Sequence, residues 1–166
     1  FEKAKWYNHQ WIQKLDVSNY EDRVKVIFES KGIDISDAVY FKKVLNLVKV
    51  RCTLLPDFYT QGSFFFQPPV SIDVADIKLK WNENKNLFFI ELIRTYLRKN
   101  SWEQGELEKV FKEIAAVNQL KPGELMGPLR IMLVGGKFGP GVFEIASMIG
   151  KEETISRIEN ALSLLQ

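Results

Sequence analysis

The sequence predicts an all-α chain, and three observations carry that prediction. Apolar residues recur at helical spacing, as in Leu107, Val110, Phe111 and Ile114. Helix-start signatures of the capping-box type occur at Ser18–Glu21 and Ser101–Gln104. Glycine and proline punctuate the pattern where helices should stop, at Gly32, Pro56, Pro122-Gly123 and Gly150.

The elements follow in order. The first residues already carry a helical pattern. After the first capping box, Val24, Ile27 and Phe28 continue at helical spacing to Lys31-Gly32, with Gly32 as a left-handed cap. A second helix is expected from Ser36 through Val39, Tyr40, Val44, Leu47 and Val48, ending near Arg51–Leu55 because Pro56 disfavours helical geometry before it. The stretch TQGSFFFQPPVSI, residues 60–72, reads as an irregular or extended connector lying against the helices. Residues 73–100 read as two helical pieces broken around 82–86, with Leu87, Ile90, Leu92 and Ile93 on the second piece's apolar side.

A helix then follows the second capping box, and another spans about 124–134. Next comes LVGGKFGPGVFEIASMIGKEE, residues 133–153, with five glycines and a proline in an otherwise apolar stretch. A short helix is expected from Pro140 to Gly150 and a last one over 151–165. The predicted division is into two helical subdomains, 1–100 and 101–166, meeting near Asn100.

Composition bounds the function. The chain has 166 residues, with 46% hydrophobic and 27% charged residues, ordinary for a folded globular chain. No apolar run reaches the ~20 residues of a membrane span, so no membrane association is expected. A single cysteine, Cys52, excludes an internal disulfide and points to the cytoplasm. The net charge of +2 permits an anionic partner without demanding one. Because the chain starts at Phe1 inside a helical pattern, we expect part of a longer protein.

The residues exclude most chemistry. One histidine, His9, and one cysteine cannot build an ordinary zinc site, and Asp34, Asp37 and Asp73 suit helix caps better than calcium ligands. Cys52 reads as a small buried hydrophobe rather than a nucleophile. The glycine segment has neither the G-x-x-x-x-G-K-[ST] pattern of a P-loop nor a dinucleotide fingerprint. It is either a plain helix connector or a surface where bare backbone amides approach a ligand. On the second reading Lys137 supplies charge, Phe138 a stacking face, and the helix starting at Pro140 a positive dipole end. Positive charge also gathers at Lys42, Lys43, Lys49 and Arg51, at Arg94, Arg98 and Lys99, and at Arg130 beside Pro128. Basic side chains interleaved with aromatics and glycine suit single-stranded RNA better than duplex DNA.

The segments FEKAKWYNHQWI, VKVRCTLLPDF and PGELMGPLRIMLVGGKFGPGVFEIASMIGKEETISRIENAL occur in this order. Together they resemble the C-terminal, anticodon-binding half of bacterial glutamyl-tRNA synthetases, over essentially the whole chain. The resemblance implies a helical-cage anticodon-binding region of two subdomains whose partner is the anticodon loop and stem of tRNA(Glu). It also implies a covalently linked upstream catalytic domain carrying the HIGH-type and KMSKS-type motifs, which this chain lacks. The chain itself is therefore expected to be non-catalytic and free of cofactors, with ATP and Mg serving the catalytic domain, and to act as a monomer.

By the same resemblance, Lys3 and Trp6 match positions that meet the tRNA backbone. Arg51 matches an arginine that reads the third anticodon base, a cytosine in glutamate tRNA and a guanine in glutamine tRNA. Arg130 matches one that helps hold the first base. Gly139 and Val142 fall where relatives can have a threonine and a leucine touching the middle and first bases. The missing threonine hydroxyl turns attention from side chain to backbone at Gly139. A helical protein-interaction module and a stand-alone RNA-binding protein are the competing expectations.

Overall fold

In a computed structural model, which describes residues 1–166, the chain forms ten α-helices joined by turns and short 3-10 segments. Its packing divides into two units, residues 1–67 and 68–166.

The first unit contains α1 (Glu2–Lys14), α2 (Glu21–Ser30), α3 (Ala38–Val48) and α4 (Asp57–Gly62). The expected capping box at Ser18 does not form. Asp16 instead accepts from the Ser18 amide and opens a 3-10 turn over Val17–Asn19, after which α2 begins. A carboxylate satisfies a helical N–H as well as a hydroxyl does, and Asp16 lies where it reaches first. Asp37 caps α3 by accepting from Tyr40 N at 3.0 Å. Residues 60–65 are not irregular. They belong to α4 and a 3-10 turn over Ser63–Phe65, in which Phe64 and Phe65 are both buried.

Phe28 centres this unit's core. Its ring stands 5.4 Å from Phe41, 5.7 Å from Tyr59 and 5.5 Å from Phe66, edge to face in each case. Burying each such ring stabilises by roughly 1.5–3 kcal/mol. α1 is fixed to the turn after α3 by polar contacts. His9 Nδ1 lies 2.9 Å from the Cys52 carbonyl, Gln13 donates to the Lys49 carbonyl at 2.6 Å, and Lys49 Nζ donates to the Leu15 carbonyl at 3.2 Å.

The second unit contains α5 (Val74–Lys78), α6 (Glu83–Arg98), α7 (Gln104–Val117), α8 (Pro122–Val134), α9 (Val142–Ile149) and α10 (Lys151–Leu165). α6 packs on α7 and α10, while α8 and α9 pack on each other and on α10. The packing thus changes at Gln67/Pro68, whereas the sequence suggested a division near Asn100. α6 meets its successors through aromatic contact, with Phe88 5.0 Å from Phe111 and Phe111 5.2 Å from Phe143. The buried face of α6 is Phe88, Phe89, Leu92, Ile93 and Tyr96, with Leu87 half exposed. The expected capping box at Ser101 is also absent: α7 starts two residues later, at Gln104, and has no side-chain cap. Trp102 turns inward instead and donates to the Ala146 carbonyl at 2.8 Å.

α8 has Pro122 in its first turn and Pro128 inside it, and ends at Gly135 with φ 101°. A Cβ at Gly135 would stand 2.7 Å from the Ser71 carbonyl oxygen, so both conformation and space demand glycine there. Asp73 N donates to the Gly135 carbonyl at 2.9 Å, which ties the start of α5 to the end of α8. α9 begins at Val142 rather than Pro140, with Gly141 as its N-terminal cap.

Candidate nucleic-acid interface

The glycine segment is built around Arg130. From the third turn of α8 its Nη1 donates to the carbonyls of Phe138 at 3.0 Å, Gly139 at 3.1 Å and Pro140 at 2.5 Å. Those carbonyls therefore converge on one cation. The amides of Gly136, Lys137, Gly139 and Gly141 have no acceptor within the chain. Gly141 caps α9 without a side chain, so the first N–H groups of that helix are likewise unmet. The segment is consequently rich in free donors, with the helix's positive end behind it. Gly139 has φ 99°, a conformation open mainly to glycine.

Phe138 is 39% exposed and can offer part of its ring to a base. Lys137 is exposed and pairs with Asp76 at 2.8 Å, which raises its pKa and directs its ammonium towards α5. Pro140 and Val142 are buried, Val142 to 4% exposure, so their side chains pack inward in the chain by itself. Beneath the segment, the buried Arg157 donates to Glu153 and to the Leu133 carbonyl, satisfying the end of α8. Sequence reading missed Arg157, whose only signal is a basic residue on the apolar side of α10.

In the first unit, Arg51 closes the 3-10 turn Lys49–Arg51 after α3. It is exposed, and no hydrogen bond or ion pair within the chain holds its guanidinium. Lys49 is different, because its ammonium is occupied by the Leu15 carbonyl. Lys3 and Trp6 lie on α1, both exposed, with Trp6 edge-on to Tyr7 at 5.1 Å. Tyr7 and Trp11 are exposed on the same helix and were not singled out from the sequence, although WYNHQW contains both.

The remaining chemistry is quiet. No group of His, Cys, Asp and Glu is arranged to hold a metal ion. Asp37 and Asp73 cap α3 and α5, and Asp34 accepts from the Ser36 amide. The Cys52 thiol is fully buried, and burial pushes its pKa up to about 12, which removes the thiolate a nucleophile needs. No helix is long and apolar enough to cross a membrane.

A helical chain with a donor-rich glycine segment, an uncommitted arginine and exposed aromatics carries the kinds of group that nucleic-acid-binding modules use. The chain belongs to the anticodon binding domain family, whose profile it matches over residues 2–162. It is 36% identical, over 99% of its length, to the glutamate–tRNA ligase of Christiangramia forsetii, and 35% identical to that of Flavobacterium johnsoniae. It covers 32% of each of those proteins, so it spans about a third of the length of the curated relatives it matches. Among solved structures it is similar to a glutamate–tRNA ligase of Elizabethkingia meningosepticum, with a TM-score of 0.87 and 33% identity over 99% of this chain and 32% of that one. The all-α expectation and the resemblance to the anticodon-binding part of glutamyl-tRNA synthetases both hold.

Proposed function

We propose that this chain is the anticodon-reading part of a glutamate–tRNA ligase and holds tRNA(Glu) by its anticodon loop and adjoining stem. The observation that carries the reading is the glycine segment, where Arg130 draws three carbonyls inward and leaves backbone amides free. Such donors meet phosphate and base acceptors, and a base stacked on Phe138 would gain about 1–3 kcal/mol. Arg51, uncommitted within the chain, reads the third anticodon base. Arg130 acts on the first base, in part by shaping the segment, and Gly139 contributes backbone rather than a side chain. Lys3 and Trp6 meet the tRNA backbone from α1, and Lys49 and Lys137 add positive field around their respective patches.

In the complete protein a linked catalytic domain would use ATP and Mg to attach glutamate, in the cytoplasm and as a monomer. This chain needs no cofactor for its own share of the work. The test is titration of the 166-residue chain with a tRNA(Glu) transcript at low and moderate salt. Binding that weakens steeply with salt is expected, because neutralised phosphates release counterions. Affinity that is the same at both salt concentrations, or equal for an unrelated stem-loop of the same size, would remove the reading.

A further inference from the structure

The second unit holds a cavity of about 690 Å³ whose walls include Asp76, Lys80, Asn82, Lys85, Glu124 and Lys137. α8 presents Gly123 and Gly127 to it, and nothing stands within 4 Å of where their Cβ atoms would be. That wall is therefore bare backbone.

Lys85 is the anomaly. It is only 6% exposed, yet its ammonium has a single acceptor, the Lys80 carbonyl at 2.6 Å, and it forms no ion pair. It also stands in the first turn of α6, where Asn82 accepts from its amide. A cation at that end of a helix opposes the dipole. Moving an ammonium out of water costs several kcal/mol unless charge and hydrogen bonds repay it. The acids on the wall do not repay it, since Asp76 is engaged by Lys137 at 2.8 Å and Glu124 pairs with no cation. The amides of Glu83 and Asn84 at the same end of α6 also lack an acceptor within the chain. A buried charge, unmet donors and open space coincide. An oxyanion completes all three.

We propose that this cavity is a phosphate-binding site, with Lys85 and Lys80 as its cations and the first turn of α6 as its backbone donor. Glu124 repels an anion at its own end and so confines the phosphate to the Lys80–Lys85 side. The occupant is a backbone phosphate of the RNA strand that meets the glycine segment, because Lys137 belongs to that segment and to the cavity wall alike. The source of the phosphate rests on the function proposed above, whereas the anion site stands without it.

The test has two arms, using the 166-residue chain, Lys85→Met, which keeps the aliphatic stem, and Lys80→Gln at an exposed position. In the first arm, thermal unfolding is followed in inorganic phosphate and in chloride at equal ionic strength. Phosphate stabilises many proteins by exclusion from their surface, so the variants supply the baseline. The unsubstituted chain should gain about 2–4 °C more than either variant, the shift expected when phosphate exceeds its Kd about fivefold. Equal gains in all three overturn the site, and Lys80→Gln decides the matter if Lys85→Met does not fold. In the second arm, the salt dependence of binding to the tRNA(Glu) anticodon stem-loop is measured. Losing one contact to a single-stranded phosphate should lower the log–log slope by about 0.7. An unchanged slope beside a confirmed phosphate effect overturns the RNA assignment alone. If no chain binds the stem-loop, the proposed function fails while the first arm still decides the anion site.

Discussion

Arg130 donates to the Phe138 carbonyl at 3.0 Å, and the same Nη1 reaches the carbonyls of Gly139 and Pro140. A guanidinium placed so is first of all the organiser of the glycine segment, and on the function proposed above it would meet a base from that position. Lysine has the charge but not the planar fork. Arg130→Lys should therefore hold the helices but loosen residues 136–141, seen as faster amide exchange there, and weaken tRNA(Glu) binding roughly tenfold, which equals the ~1.4 kcal/mol of a charged hydrogen bond. Exchange unchanged beside weakened binding would assign Arg130 to the ligand alone.

Alkaline pH should destabilise both units by one mechanism. Burial pushes Cys52 from 9.0 up to about 12 and Tyr20 from 10.0 to about 12, and it raises Tyr96 in the second unit. Each group is neutral in the fold and ionises sooner when unfolded, so its stabilisation is complete below the unfolded value and is lost as pH climbs towards the folded one. Urea midpoints should be level to about pH 9 and fall steadily beyond it. Tyr20→Phe should flatten part of that fall, and an unaltered slope would show that Tyr20 does not titrate with unfolding. Native Cys52 should also resist thiol reagents at pH 8 until urea is added.

How much of this was legible beforehand differs from feature to feature. Elements with strong periodicity, such as α10 over 151–165, were readable because apolar spacing alone fixes their buried face. The caps at Ser18 and Ser101 were misread because each motif competes with a neighbour. Asp16 reaches the Ser18 amide first, and Trp102 packs its ring 5.1 Å from Tyr96 and bonds the Ala146 carbonyl. The helical turn through Phe64 and Phe65 was hidden by flanking glycine and proline, whose breaking tendency tertiary packing overrides. At the candidate site, Arg51 and the glycine segment were visible as residue types at a spacing. That Val142 is core, that Lys49 is occupied and that Lys85 is a buried cation depend on contacts distant in sequence, which no local pattern encodes.

Gly139 permits a sharper test than loop flexibility alone suggests. At φ 99° any β-branched residue is strained, so Gly139→Val should cost on the order of 1–3 kcal/mol of stability. Helical content at 25 °C should nevertheless persist, because the segment lies outside α8 and α9. Binding of tRNA(Glu), measured where circular dichroism shows the variant folded, should fall by at least tenfold as the added side chain blocks the backbone. Full binding by a folded Gly139→Val chain would mean that the ligand does not approach this backbone.

Arg51 makes the most specific prediction. Cytosine offers acceptors at O2 and N3 on its pairing edge, which a donor-only guanidinium can meet. Guanine presents N1–H and N2–H₂ there beside the single acceptor O6, so a guanidinium placed for O2 and N3 would face donors and leave them unmatched. Burying unmatched polar groups costs about 1–3 kcal/mol, which corresponds to roughly 5–150-fold discrimination against guanine at the third anticodon position. The geometry suits the role, since Arg51 is exposed and engaged by no group of its own chain. Lys49, two residues earlier, cannot substitute without abandoning the Leu15 carbonyl. Glutamine both donates and accepts, so Arg51→Gln should narrow the preference by improving guanine binding relative to cytosine. The measurement is affinity of the chain and of Arg51→Gln for two anticodon stem-loops that differ only at that base. If the substitution weakens both equally, Arg51 contacts phosphate and does not read the base.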